Sequence, residues 1–548
     1  MANQGIGTWA HRRRVKSAGM PAIIHNDREV DYDELATRVD RLAGALADRG
    51  VARGDRVAYL GNNHPAFIET MFACGLLGAV FVPLNTRLVA AELAHMIDDS
   101  GAETFVYSEN LSSVALDALA GSAGGVRRLA IVGEGQPRAT AARGSSPTTD
   151  ARGSSPAATD ARGTALAADD ARGTVPVAEP FEQLLASGDD RHRDEPVGLD
   201  DPAVIIYTSG TTGRPKGAVL THGNLTWNAL NVLTDYDVLS DERSLMIAPL
   251  FHVASLGMGC LPTLLKGGTV IVAERFEPGQ ALALIEKHRA TFISGVPTTF
   301  QLLCEHPHWA STDISSLRSL TCGGSAVPAR VREAYERRGL SFSSGYGMTE
   351  TAPGVTSLQP RYSVSKAGSA GLPHFFTEVR VAGPTDVELP HGMVGEIQAL
   401  GPNAISEYWN DPVATAALRT ADGWLKTGDL GYVDDEGFLF ISDRIKDMII
   451  SGGENIYSAE VEEALMRLPW FTGVAVIGRP DERWGEVPHA VVVLAPGVQH
   501  DPAQTIAELR SMLAKYKIPQ TYEVVAELPR TASGKVRKNA LRQAAANA

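Results

Sequence analysis

The sequence predicts an α/β fold made of at least two units, and three observations predict it. A chain of 548 residues is too long for one small core. Roughly its first 135 residues repeat a strand–helix–strand order, which calls for a parallel sheet flanked by helices. Its last hundred or so residues carry a separate set of strand and helix patterns, as a second small α/β unit would.

Taken in order, Leu35, Val39, Leu42 and Leu46 recur at helical spacing and stop before Gly50. Residues 56–60 and 79–84 read as short buried strands on either side of an apolar helix. Between about Gln136 and Pro180 the composition changes, and Ala-Arg-Gly recurs from Ala142, Ala151, Ala161 and Ala171. With almost no large apolar side chain, this stretch cannot offset the entropy of ordering, so it reads as a disordered surface insertion near 136–180. Globular patterning resumes near Asp200. In the final unit, residues 474–477 and 490–494 are strands. A helix starts at Ser458 as N-cap, with Val461, Ala464, Leu465 and Leu468 on one face.

Bulk properties exclude several functions. A formal net charge of −14 argues against a nucleic-acid partner, which would need a basic surface. Cys74, Cys260, Cys304 and Cys322 are scattered, with no CxxC or Cys/His spacing, so neither a disulfide framework nor a zinc site is indicated and a reducing cytoplasm fits best. No stretch is apolar enough for a transmembrane span or a secretory leader. The basic residues 11–16 read as a solvated helix end, with weak peripheral contact at the inner membrane face as the alternative. The sequence leaves a homodimer open.

The strongest signal is residues 204–217, where the apolar run Val204-Ile205-Ile206 enters Tyr207-Thr208-Ser209-Gly210-Thr211-Thr212-Gly213-Arg214-Pro215-Lys216-Gly217. Glycines let backbone N–H groups approach phosphate oxygens, hydroxyls add donors, and Lys216 adds a cation. The P-loop of NTPases needs Gly-Lys-Ser/Thr opening a helix, whereas Pro215 and Gly217 flank this lysine.

This string resembles the phosphate loop of the acyl- and aryl-CoA synthetases of the adenylate-forming superfamily. Further motifs of that superfamily follow in order at 249–252, 323–326, 345–350, 427–429, 443–446 and 529–535. The resemblance implies a large N-terminal adenylation domain over 1–442, of parallel and mixed sheets flanked by helices with a β-barrel-like subdomain. A hinge at 443–447 and a small mobile α+β domain over 448–548 follow. It also implies an ATP-dependent acid–CoA ligase whose small-molecule partners are a carboxylic acid, ATP with Mg²⁺, and coenzyme A.

Joining a carboxylate to the α-phosphate brings like charges together, so cations and positioning carry the catalysis. By resemblance, Lys535 bridges carboxylate and α-phosphate, Glu350 binds the metal, and Thr208 and Thr349 donate to phosphate oxygens. Asp429 accepts from the ribose hydroxyls and Arg444 supports ribose or phosphate. The segment 323–326, with Gly324, Ser325 and Ala326, and Tyr346 form the adenine pocket, and Gly345 and Gly347 beside it belong to the nucleotide site. Lys446 is the implied pivot, and Gly452 and Gly453 line the pantetheine tunnel. Luciferase and plant ligases carry a lysine near Ile450, and its absence leaves thioester formation without a lysine here.

For the acid, the expected pocket comprises Trp227, His252, Val253, Ser255, Val296 and Gly345. Histidine at 252, where amino-acid-activating relatives carry aspartate, argues against a free amino acid. The small apolar run 253–259 is compatible with an acyl chain or a ring, and Trp227 is either an indole gate or a helix-packing aromatic; a medium- or long-chain fatty acid is the preferred reading. The alternatives are an aryl acid of the coumarate type and a loader that passes the acyl group to a carrier protein. A luciferase-like oxygenase and a non-catalytic nucleotide sensor complete the rivals.

Overall fold

The structure, a computed structural model, describes residues 3–133, 176–209, 215–323, 327–452, 454–481, 483–531 and 535–547. The Ala-Arg-Gly repeat lies outside them. Four sheets organise the described residues. A seven-stranded sheet runs in the order Glu179–Pro180, Arg128–Val132, Thr104–Ser108, Arg56–Leu60, Val80–Leu84, Pro202–Ser209, Pro215–Thr221, all parallel except the last strand. A nine-stranded sheet has a parallel centre that includes Arg243–Met246, Phe292–Gly295, Ser319–Cys322 and Phe342–Gly347. Beyond it, Gly354–Leu358 and Leu372–Pro373 turn antiparallel.

One continuous core joins the two large sheets and the helices between them. Val57, Phe81 and Val204 of the first sheet pack in the same cluster as Ile23, Met246 and Val270 of the second. All 13 residues of the helix Pro65–Leu77 are buried, because the strands Val80–Leu84 and Pro202–Ser209 cover one side and the helix Tyr32–Asp48 another. Local chemistry starts the neighbouring helices. Asp31 accepts the Glu34 N–H at 2.7 Å to cap Tyr32–Asp48, and Thr221 and Asn224 cap each other reciprocally at the start of His222–Asp235.

At the position implied for a barrel-like subdomain stands an antiparallel meander of Glu378–Ala382, Gly395–Leu400, Leu425–Val433 and Leu439–Arg444. A single bridge from Gly371 to Leu439 joins it to the stretch leading into the nine-stranded sheet's edge. The chain then enters a small mixed sheet of five strands. Gly485–Leu494 lies at its centre, antiparallel to Phe471–Asp481 and parallel to Thr521–Val524.

Two expectations need correction. Globular structure resumes before Asp200: Glu179–Pro180 extends the first sheet, and the helix Phe181–Ser187 buries Phe181, Leu184 and Leu185. That helix is too short to display a period. The basic segment 11–16 is also partly engaged by its own fold. Arg12 donates to the Asn3 carbonyl at 2.9 Å and Arg13 to the Leu265 carbonyl at 2.7 Å, which accounts for two of the charges offered to a lipid surface. Among the described residues no helix is long and apolar enough to cross a membrane.

Candidate active site

The site forms where strand ends from both large sheets meet the meander, the usual place for ligands in parallel α/β sheets. Strand Pro202–Ser209 carries Thr208 opposite Lys216 on the antiparallel strand Pro215–Thr221. Residues 405–409 lie along that strand: the Val219 N–H donates to the Glu407 carbonyl at 3.2 Å and the Trp409 N–H to the Gly217 carbonyl at 2.7 Å. This places the Tyr408 ring 5.6 Å beneath the Lys216 ammonium, which also pairs with Asp411 at 3.7 Å.

Tyr408 in turn donates to Oε1 of Glu350 at 2.8 Å. Glu350 sits in the one-turn helix Thr349–Thr351, directly after strand Phe342–Gly347 and Met348. Its carboxyl is buried, and burial raises its pKa above the ordinary carboxylate value, against the opposing pull of the Tyr408 hydroxyl. Tyr408 was not found from sequence. Its only signal there is a tyrosine in an irregular stretch 58 residues beyond its partner.

On the meander, Gly428 adopts φ +71°, a conformation that favours glycine, and Asp429 follows it buried. Asp429 Oδ2 accepts the Tyr346 hydroxyl at 2.5 Å, and Oδ1 faces Arg444 Nε at 3.2 Å. Tyr346 is thereby tied to the carboxylate; burial and that negative neighbour hold its phenol protonated. Gly347 is obligatory for packing: a Cβ there would fall 1.6 Å from the Pro353 carbonyl oxygen.

Lys535 reaches the same cluster from the small domain. Its pKa is lowered chiefly by the enclosing protein and next by Arg444, while Asp429 and Glu350 raise it and Lys446 lowers it. Lys446 is shifted down as well, first by burial and then by Arg444. Four cationic side chains, Lys216, Arg444, Lys446 and Lys535, thus accompany two buried carboxylates. That balance suits a polyanion held beside a cation. His252 belongs to this neighbourhood: burial, then the charges of Arg87 and Lys535, lower its pKa to about 4, and its Nε2 is buried without a hydrogen-bond partner among the described residues.

The expected acid pocket is only partly assembled as read. Val253 packs into the main core, and the Ser255 hydroxyl is engaged by the Ala248 carbonyl at 2.9 Å. The open face of this turn instead carries Ala254 and Met258, which are more exposed than their neighbours and one helical repeat apart. Val296 and Gly345 are partly exposed. The Tyr236 hydroxyl lies 3.0 Å from where a Gly345 Cβ would stand and makes a long 3.4 Å bond to the Ser344 carbonyl. Trp227 sits edge-to-face on Phe376 at 5.1 Å, lining a recess of about 450 Å³ with Phe375 and Pro402.

Gly452, at φ +59°, is covered by the Trp484 indole, with its N–H donating to the Trp484 carbonyl at 2.7 Å. Residues 210–214, which include Gly210, Thr211, Thr212 and Gly213, lie outside the described residues, as do Gly324, Ser325, Ala326 and Gly453, and so does the side chain of Ser209.

Comparison with known proteins bears on the whole chain. Residues 10–409 match the family described as AMP-binding enzyme, and residues 460–535 match its C-terminal domain. The chain belongs to the AMP-binding enzyme family. Within it, the chain is 48% identical to a feruloyl-CoA synthase of an Amycolatopsis species, over 99% of each. It is 34% identical to the long-chain-fatty-acid–CoA ligase FadD13 of Mycobacterium tuberculosis, over 98% of each. The o-succinylbenzoate CoA synthetase of Bacillus subtilis, solved with its acyl-adenylate, superposes with a TM-score of 0.81 at 31% identity, covering 99% of this chain and 98% of the other.

Proposed function

We propose that this ATP-dependent acid–CoA ligase activates an aryl acid, of the class of 3-arylpropenoic acids with a ring hydroxyl. The carrying observation is the 48% end-to-end identity to a feruloyl-CoA synthase, against 34% to a long-chain fatty-acid ligase. The fatty-acid preference read from the sequence therefore gives way to its aryl alternative. Tyr236 adds support: a phenol with one long internal bond beside half-exposed Gly345 can exchange that bond for a ligand hydroxyl. Burial keeps it protonated and able to donate.

The reaction runs in two steps. First, the acid carboxylate attacks the α-phosphorus of ATP and the bond to pyrophosphate breaks, giving acyl-AMP. Lys535 offsets the charge of the approaching carboxylate and α-phosphate; Lys216 and Thr208 bind the outgoing phosphates. Glu350 fits Mg²⁺: it is buried, only Oε1 is engaged by Tyr408, and Mg²⁺ neutralises phosphate charge when bound there. Asp429 retains lone pairs for the ribose diol, and Tyr346 and Arg444 fix its orientation. Second, the CoA thiol, having lost its proton to solvent, attacks the acyl carbon and AMP leaves with the bonding pair. This requires residues 443–447 to pivot the small domain so that Gly452 replaces Lys535 at the cleft.

Pyrophosphate release should be measured for ferulate, coumarate, cinnamate, decanoate and palmitate, each with and without CoA. The expected order places ring-hydroxylated acids first, and Tyr236→Phe should erode their advantage over cinnamate about threefold to tenfold. Preference for palmitate, or an unchanged ratio in the variant, overturns the assignment. Acyl transfer to a carrier protein but not to CoA would favour the loader reading.

A further inference from the structure

Three side chains with metal-ligating atoms converge from three separate stretches of the chain. His11 lies on the helix Trp9–Ser17, Asp40 on the helix Tyr32–Asp48, and His192 on the extended chain after the helix Phe181–Ser187. His11 Nε2 stands 2.8 Å and His192 Nδ1 3.0 Å from the same oxygen, Oδ1 of Asp40. The three ligand atoms all lie within 4.8 Å of one another. Asp40 is 1% exposed, His11 9% and His192 39%, so the cluster is closed on its inner side and open to water at His192.

The two imidazoles do not engage the carboxylate alike. His192 makes a hydrogen bond of ordinary geometry at 3.0 Å. His11 Nε2 lies closer, at 2.8 Å, and its Nδ1 is buried without a hydrogen-bond partner among the described residues. Three ligand atoms of the types that bind borderline metals thus meet around one carboxylate oxygen, with one side open to water. Arg193, next to His192, is paired with Asp189 at 2.6 Å.

We propose that His11, Asp40 and His192 form a binding site for one divalent transition-metal ion of the zinc class. Two imidazole nitrogens and one carboxylate oxygen suit borderline Zn²⁺ better than Mg²⁺ or Ca²⁺, which prefer all-oxygen sets. Zinc–nitrogen bonds of about 2.0–2.1 Å place tetrahedral ligand atoms roughly 3.4 Å apart, so the imidazoles withdraw from Asp40 by about half an ångström to admit the ion. Water completes the sphere on the His192 side. The ion ties the N-terminal helix to the chain that follows Phe181–Ser187, and takes no part in adenylation.

The test uses the full-length protein, stripped with a chelator and titrated with Zn²⁺ against a competing chromophoric chelator, Mg²⁺ present throughout. One Zn²⁺ per chain should bind, and it should raise the melting temperature. His192→Ala, at a solvent-facing position, should bind at least about tenfold more weakly, lose the zinc-dependent melting shift, and still make acyl-CoA at the parent rate. Substituted Co²⁺ should give visible d–d bands in the parent and not in the variant. Failure of the parent to retain zinc at micromolar concentration overturns the proposal, leaving two imidazoles that share a carboxylate through protons. Equal zinc affinity in the two proteins overturns it too.

Discussion

Tyr408→Phe tests the geometry of Glu350, the carboxylate proposed to hold Mg²⁺, directly. The substitution keeps the ring beneath Lys216 and deletes one hydroxyl, the donor 2.8 Å from Glu350 Oε1. A hydrogen bond to a charged group is worth about 1.5–3 kcal/mol, and a buried carboxylate has no water to replace it. The ionised form of Glu350 should lose that support while the protonated form does not. Burial already raises this carboxyl's pKa, so the change adds to an existing shift in the same direction. Protons and Mg²⁺ compete for the same oxygens. The balance should therefore move about tenfold to a hundredfold toward the proton. Adenylation, followed as pyrophosphate release against pH at several Mg²⁺ concentrations, should show its acid limb displaced to higher pH and recover as Mg²⁺ rises. An acid limb that stays in place, or a loss that Mg²⁺ does not relieve, would refute the role given to the Tyr408–Glu350 pair.

Lys535→Ala should lower adenylation by about a hundredfold to a thousandfold while sparing thioester formation from supplied acyl-AMP; equal loss of both half-reactions removes Lys535 from the first step. Gly452→Ala should do the reverse. Its φ of +59° and a Cβ 2.7 Å from the Trp484 ring strain the turn, so acyl transfer from supplied acyl-AMP should slow while pyrophosphate release persists. His222 is fully buried, and burial lowers its pKa to about 4. The unfolded chain binds that proton near pH 6.5, so the stability contributed by neutral His222 is present above that pH and is lost as pH falls toward 4. The loss amounts to ~3 kcal/mol. Melting temperature between pH 7 and pH 4 should fall less steeply in His222→Gln; an unchanged slope would show that other groups govern acid unfolding.

What could be read from the sequence was whatever a local pattern carries. The strands Arg56–Leu60 and Val80–Leu84 announce themselves as apolar runs, and the phosphate loop by its glycines and hydroxyls. Asp429, Glu350 and Lys535 were legible through the motifs around them, and the fold brings their charges within reach of one another. Partnerships across the chain were not legible. Tyr408 acts on Glu350 only because residues 405–409 lie against Pro215–Thr221, and Tyr236 meets Gly345 only because the helix His222–Asp235 ends beside strand Phe342–Gly347. The acid pocket misled for a different reason. Residues 253–259 are uniformly small and apolar, so composition does not say which side of the turn is buried. Rotation about the helical axis turns Val253 and Ser255 inward and leaves Ala254 and Met258 on the open face.

The contacts around residues 443–447 constrain how the proposed pivot can operate. Asp443 accepts the Ser458 hydroxyl at 2.8 Å, Ser458 receives Lys538 at 2.6 Å, and Arg542 donates to Asp447 at 2.7 Å. Asp443 and Asp447 are therefore held by the small domain. Between them, Arg444 faces Asp429 and the Ile445 N–H donates to the Gly428 carbonyl at 2.9 Å, which ties the middle of the segment to the large domain. A rotation that exchanges Lys535 for Gly452 cannot preserve both sets. The set exposed to change is the second, because Arg444 is 45% exposed and Asp429 is the residue assigned to the ribose. In the proposed mechanism the Arg444–Asp429 pair is then both a nucleotide contact and the latch of the adenylation arrangement. Arg444→Ala should weaken ATP binding and, unlike a loss confined to nucleotide contact, speed acyl transfer relative to adenylation in single-turnover measurements. A variant that slows both steps in proportion would separate the latch from the pivot.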